Sequence, residues 1–154
     1  MSNDELLAIL SETRNVQAVQ PHLGKCFDAV QSCDFGSDPD STEIFAMVSA
    51  ETERVDFTAV VNAVGNVEFW LTDVEAMMRK TLYDVHKDSL IKYPPPDEAT
   101  DRSGWFFEFP AQPVLSIDQI MWAQNCEEAI TAIESGENPN ALNEFLDYSI
   151  RQIA

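Results

Sequence analysis

Apolar residues recur at helical spacing through most of this chain and at strand spacing in one short stretch. Ser2 and Glu5 form an S-x-x-E capping box ahead of Leu6, Leu7, Ile9 and Leu10, which predicts a short first helix. Asn15 marks a break. Pro21 suits the first turn of a second helix, and Leu23, Cys26, Phe27 and Val30 fall on one face at i, i+3, i+4 and i+7. Residues 1–35 therefore read as a helical pair. Asp34 to Ser41 is a loop by its turn chemistry. Two β-prone runs, Ile44–Ser49 and Arg54–Phe57, flank the polar turn Ala50-Glu51-Thr52-Glu53 and predict a β-hairpin over residues 44–60. Val55 and Phe57 share one face of it, and Arg54 and Asp56 the other.

The longest helix is expected over residues 66–93. Asn66 is its cap, after Gly65. Val67, Trp70, Leu71, Val74, Met77, Met78, Leu82 and Val85 keep one apolar face, while Glu75 with Arg79 and Asp84 with Asp88 mark a charged one. Pro94-Pro95-Pro96 ends it, because proline lacks the amide proton and disfavours helix in the residue before it. Asp97 to Gly104 is a polar loop. Trp105 to Phe109 then puts four aromatic residues into five positions. This run is too costly to leave in water and is expected as a buried strand or extended segment. Ser116 with Gln119 forms a further capping box. Ile117, Ile120, Met121, Ala129, Ile130 and Ile133 carry the helix to Gly136, a suitable C′ residue. Pro139 opens a last helix with Leu142, Phe145, Leu146 and Ile150 on one side. The fold class expected is mainly α, a helical bundle-like segment with an inserted β-hairpin. Its structural core is Trp70, Leu71, Val74, Trp105, Phe107, Phe109 and Trp122, with the aromatic run bracing the Trp122 helix.

Composition narrows the function. A chain of 154 residues with 45% hydrophobic content can bury a core as one domain or one piece of a larger one. The net charge of −18 argues against binding nucleic acid or an anionic membrane surface. It is compatible with a basic protein partner. The start lacks the basic n-region of a signal peptide, and no apolar run reaches the roughly 18 residues of a membrane span. Cys26, Cys33 and Cys126, an odd number without CxxC spacing, suit a reducing, cytoplasmic compartment.

Candidate chemistry is sparse. The GxxxxGK[ST] and GxGxxG phosphate loops, HExxH and GxSxG are all missing. His22 and Cys26 have i, i+4 metal-ligand spacing. Cys26, however, shares the apolar face with Phe27 and is expected to be buried as a small hydrophobe. His86 is expected on a solvated face. Met77 and Met78 are expected in the core. No catalytic, cofactor-binding or metal-binding residue is assigned, and the chain is not expected to be an enzyme.

Four motifs in order carry a resemblance over nearly the whole chain: SNDELL followed by VQPHLGKCF, IFAMVSAETERVDF, GNVEFWLTDVEAMM and WFFEFPAQPVLSIDQIMWAQNCEEAI. The sequence resembles the linker region of dynein heavy chains. In the last motif the family pattern falls on Trp105, Phe109-Pro110, Gln112, Gln119-Ile120, Trp122 and Glu128-Ala129. The chain departs from the family at Ala123, where threonine is usual, and at Thr52, where the hairpin turn usually has glycine. The resemblance implies a segment of the linker, the lever upstream of the first AAA+ module, of an axonemal or flagellar dynein acting in the cytoskeleton. It implies that ATP and Mg are bound elsewhere in the parent motor, which works on microtubules. It also implies that the hairpin meets the AAA+ ring of the same heavy chain, with Glu51, Thr52, Glu53 and Arg54 as candidate ring-docking residues. An acidic helical protein–protein interaction module unrelated to motors is the alternative.

Overall fold

The computed structural model describes residues 15–95 and 102–153. The expected first helix and most of the Asp97–Gly104 loop lie outside them. A 3₁₀ turn, Val16–His22, leads into α1 (Leu23–Cys26). The strands are β1 (Ser32–Asp34), β2 (Glu43–Val48) and β3 (Arg54–Asn62), and the later helices are α2 (Val67–Ile91), α3 (Ser103–Glu108), α4 (Ala111–Glu134) and α5 (Ala141–Ile153). The chain is thus mainly helical with one small antiparallel sheet in the order β1-β2-β3. It divides into two compact units, Met1–Asp84 and Val85–Ala154, with the boundary inside α2.

The first unit is built on one apolar cluster. Val16, Val19 and Leu23 from the N-terminal turn meet Cys33 and Phe35, Ile44 and Met47, Val61 and Ala63, and the Val67, Trp70, Val74 and Met78 face of α2. Trp70 is 1% exposed at the centre of this cluster, and Leu71 packs against its edge. The expected helix from Pro21 to Val30 is cut short. Pro21 sits inside the 3₁₀ turn, which Asn15 caps through its side chain. Phe27 is already extended and Ala29 has φ of 62°. Cys26 is therefore exposed, not buried, and Cys33 takes the core position instead. Burial in that cluster pushes the Cys33 thiol up to about 12.

The β1 strand was not expected. It is three residues long and has no alternation to read. Gln20 supports it from outside: its amide nitrogen donates to the Cys33 carbonyl at 2.6 Å and its oxygen accepts from the Cys33 N–H at 2.9 Å. Opposite, β2 and β3 pair as a hairpin whose ladder is broken. Ala46 faces Asp56 and Ile44 faces Val61, so Phe45 alone stands against Phe57, Thr58, Ala59 and Val60. The surplus bends β3 and frees backbone groups from the ladder. One of them, the Thr58 N–H, donates to the buried Thr81 hydroxyl of α2 at 3.2 Å. Thr81→Val, which keeps the shape and removes the acceptor, should cost about 1–2 kcal/mol, and Thr81→Ser less, in urea unfolding curves. A larger loss for Thr81→Ser than for Thr81→Val would show that the methyl group, not the hydroxyl, matters.

In the second unit the aromatic run is helical rather than extended. Strand spacing would put Trp105, Phe107 and Phe109 on one face. The helical turn of α3 buries Trp105 and half-buries Phe109 four positions on. It turns Phe107, expected in the core, out to 90% exposure. Trp105 donates its indole N–H to the Ser89 carbonyl at 3.0 Å and meets the Tyr93 ring edge-on at 5.1 Å. Arg102 lies over Tyr93 and Phe106, both at 5.1 Å, and pairs with Asp118. Lys92 reaches Glu108 at 2.5 Å and Asp88 at 3.1 Å, and these hydrogen bonds, Glu108 first, hold its pKa above the ordinary lysine value. Desolvation raises that of Tyr93.

The next helix starts earlier than its expected capping box. Pro110 leads directly into α4, and Pro113 sits in the first turn, where its missing N–H leaves no intrahelical bond unmade. Ser116 instead donates to the Gln112 carbonyl within the helix. Ile117 is buried, but Trp122, about 140° further round α4, is 58% exposed and touches only the flank of Phe145 among the ring contacts. Its expected core role is therefore corrected. Gly136, with φ of 75°, closes α4. Trp105→Ala should cost about 3–5 kcal/mol and Trp122→Ala about 1 kcal/mol or less, measured by thermal unfolding. The opposite ranking would return Trp122 to the core.

Candidate docking hairpin

The hairpin tip is defined by two backbone bonds. Thr52 N–H donates to the Ser49 carbonyl at 3.1 Å, and Ser49 N–H donates to the Glu53 carbonyl at 2.9 Å. A three-residue loop, Ala50-Glu51-Thr52, remains between them. The Ser49 hydroxyl accepts from the Glu53 N–H at 3.2 Å and tightens its base. Loops of this length need a left-handed residue at the last position, a place suited to glycine. Thr52 occupies it with φ of 69°. A β-branched side chain there stores about 1–3 kcal/mol of strain. The sequence left the turn type open because Ala50-Glu51-Thr52 contains none of the usual turn signals.

Of the four candidate docking residues, Glu51, Thr52, Glu53 and Arg54 are all exposed. Arg54 differs from the others. Its guanidinium ties Asp34 of β1 to Asp56 of β3, at 2.6 Å for the latter. The other carboxylate oxygen of Asp34 accepts from the Gly36 N–H at 2.7 Å. This chain of contacts crosses all three strands and reaches the loop beyond. With Arg54 45% exposed the pairs add little stability, under about 1 kcal/mol each, but they fix the hairpin base. Asp34, Glu51, Glu53 and Asp56 against Arg54 leave this end of the sheet with four negative charges and one positive. Sequence reasoning missed the role of Asp34, since its pairing with Arg54 across β2 needs the unforeseen strand β1.

No reactive constellation accompanies the hairpin. Among the described residues no group of three or more His, Cys, Asp or Glu side chains is arranged to hold a metal ion. His22 ends the 3₁₀ turn with its Nδ1 buried, and Cys26 faces water. Among the described residues no helix is long and apolar enough to cross a membrane.

Comparison with known proteins then fixes the lineage. Residues 1–89, which include the whole sheet and nearly all of α2, match the family described as dynein heavy chain, N-terminal region 2. The human dynein axonemal heavy chain 12 is 38% identical over 96% of this chain and 5% of its own length. The chain belongs to the dynein heavy chain family. The human dynein axonemal heavy chain 3 is 38% identical over 100% of this chain and 4% of its own. For the human dynein axonemal heavy chain 6 the figures are 36%, 94% and 4%. This dynein chain therefore spans about a twentieth of the length of the curated relatives it matches. The likeness to these relatives runs on past residue 89 through the aromatic helix and α4.

Thr52→Gly in this dynein chain should raise stability by about 0.5–1 kcal/mol, the relieved strain less the added freedom of the unfolded chain. A loss of stability in urea titration would show that Thr52 makes a compensating contact.

Proposed function

We propose that this chain is a mechanical linker segment of an axonemal dynein heavy chain, carrying an ATP-driven change in the AAA+ ring into the power stroke on microtubules. The observation that carries the reading is a stiff, exposed hairpin attached to a long helix. The 25-residue α2 extends about 37 Å. The bulged strand is hydrogen-bonded to it through Thr58 and Thr81, and Arg54 locks the hairpin base. Force applied at the tip therefore passes into α2 through the apolar packing of the sheet and the Thr58–Thr81 hydrogen bond rather than through a slack loop.

In this reading Glu51 and Glu53 are the contact groups and Thr52 sets their direction. Arg54 positions the hairpin from within. The docking surface, on the AAA+ ring of the same heavy chain, is basic, to match the excess of carboxylates at the tip. Switching between two ring contacts requires differences of a few kcal/mol and no chemistry in the lever itself. ATP and Mg belong to the ring, and the segment itself is not an enzyme. The axonemal names of the relatives support a place in the cytoskeleton of a cilium or flagellum.

The test uses the complete heavy chain. Glu51→Lys combined with Glu53→Lys should slow microtubule gliding and reduce microtubule-stimulated ATPase, while the isolated chain keeps its melting temperature. Unchanged gliding and ATPase with an intact fold would remove the hairpin from the docking role.

A further inference from the structure

Thr58 of β3 holds α2 by two separate groups. Its backbone N–H donates to the Thr81 hydroxyl at 3.2 Å, and its own hydroxyl donates to the Met77 sulfur at 3.5 Å. Met77 and Thr81 are four positions apart, so they lie one turn from each other on the same side of the helix. Thr58 reaches both because it belongs to the stretch of β3 that has no register partner in β2. The two acceptors are unequal. A hydroxyl oxygen accepts a hydrogen bond well, whereas a thioether sulfur accepts one weakly. The Thr58 hydroxyl is therefore aimed at a group that makes poor use of it.

The methionines of the first unit are not placed alike. Met47 and Met78 are 8% and 6% exposed inside the apolar cluster. Met77 is half-buried at the margin of that cluster, and its partner Thr58 is exposed, so a small oxidant reaches the sulfur from the solvent side. A hydroperoxide oxidises a thioether by two electrons. The sulfur lone pair takes one peroxide oxygen, the O–O bond breaks, and hydrogen peroxide is reduced to water while the sulfur becomes a sulfoxide. Among apolar neighbours alone, the polar S=O group is costly, because nothing there can donate to it. At Met77 a hydroxyl donor already points at the sulfur. The unbranched methionine chain has the freedom to turn its new oxygen toward that donor.

We propose that Met77 is a modification site, oxidised to the sulfoxide by hydroperoxides, and that the Thr58 hydroxyl receives the new oxygen. The weak contact between β3 and α2 becomes a full hydrogen bond, which offsets the apolar packing that the oxidised side chain loses. The linker reading does not depend on this site. The experiment treats the whole folded 154-residue chain with hydrogen peroxide and maps sulfoxides by peptide mass spectrometry. Met77 should be oxidised at least about tenfold faster than Met47 and Met78. The second arm uses Thr58→Val, which keeps the shape and the backbone N–H and removes only the hydroxyl. Oxidation should lower the melting temperature of this variant by about 2–4 °C more than that of the parent. In a Met77→Leu background the same comparison should give no difference, which removes any contribution from Met121, half-buried on α4. Thr58 is exposed and Met77→Leu conserves volume, so both variants should keep the fold. Equal oxidation rates for Met77 and the two buried methionines would overturn the inference. So would equal shifts in the parent and Thr58→Val, and so would a difference that persists in the Met77→Leu background.

Discussion

The first unit depends on one face of one helix remaining dry. Val67, Trp70, Val74 and Met78 of α2 supply the large, fully covered surface against which the strands and the N-terminal turn collapse. At roughly 25 cal/mol per Å² of apolar area removed from water, a buried tryptophan outweighs any ion pair on this surface. Where the strand next to that face departs from its ladder, the helix also has to supply hydrogen bonding. Thr81 does so, at a fully buried position where most residues of the face are purely apolar. Apolar contact thus gives the adhesion, and one hydroxyl fixes the register of β3 against the helix.

What could be read in advance follows from the range of each interaction. The long helix was legible because its apolar residues repeat over about five turns and prolines stop it. The hairpin was legible because two β-prone runs flank a polar turn. The class of the fold followed from these two elements alone. The strand β1 was not legible, since its pairing partner and its Gln20 support are both non-local. The aromatic run shows a sharper limit. Five residues hold too few repeats to separate a period of two from one of 3.6. What decides the matter is Ser89, whose carbonyl waits for an indole N–H sixteen positions later in the chain. The same ambiguity misassigned Phe107 and left Trp105 correctly placed for the wrong reason.

The candidate docking residues divide in a similar way. That Glu51 and Glu53 stand at an exposed tip is implied by the hairpin pattern. That Arg54 is engaged by Asp34 and Asp56 is a tertiary fact, and it changes the residue from a contact into a support. The left-handed Thr52 lies between these cases. Its place in the turn could be guessed from the missing glycine, but the conformation it accepts is set by the two backbone bonds that close the loop.

The contact between Gln20 and β1 has a consequence for how such a chain behaves in a crowded fibre. A sheet edge with unpaired amides and carbonyls is a template on which a foreign strand can add. The N–H and the carbonyl of Cys33, the middle residue of β1, are both taken by a single side-chain amide. Gln20 thus imitates a fourth strand one residue long. It blocks that edge against strand addition without adding a flat surface of its own. The sheet then presents its turn to solvent while the β1 margin stays closed to β-pairing at Cys33.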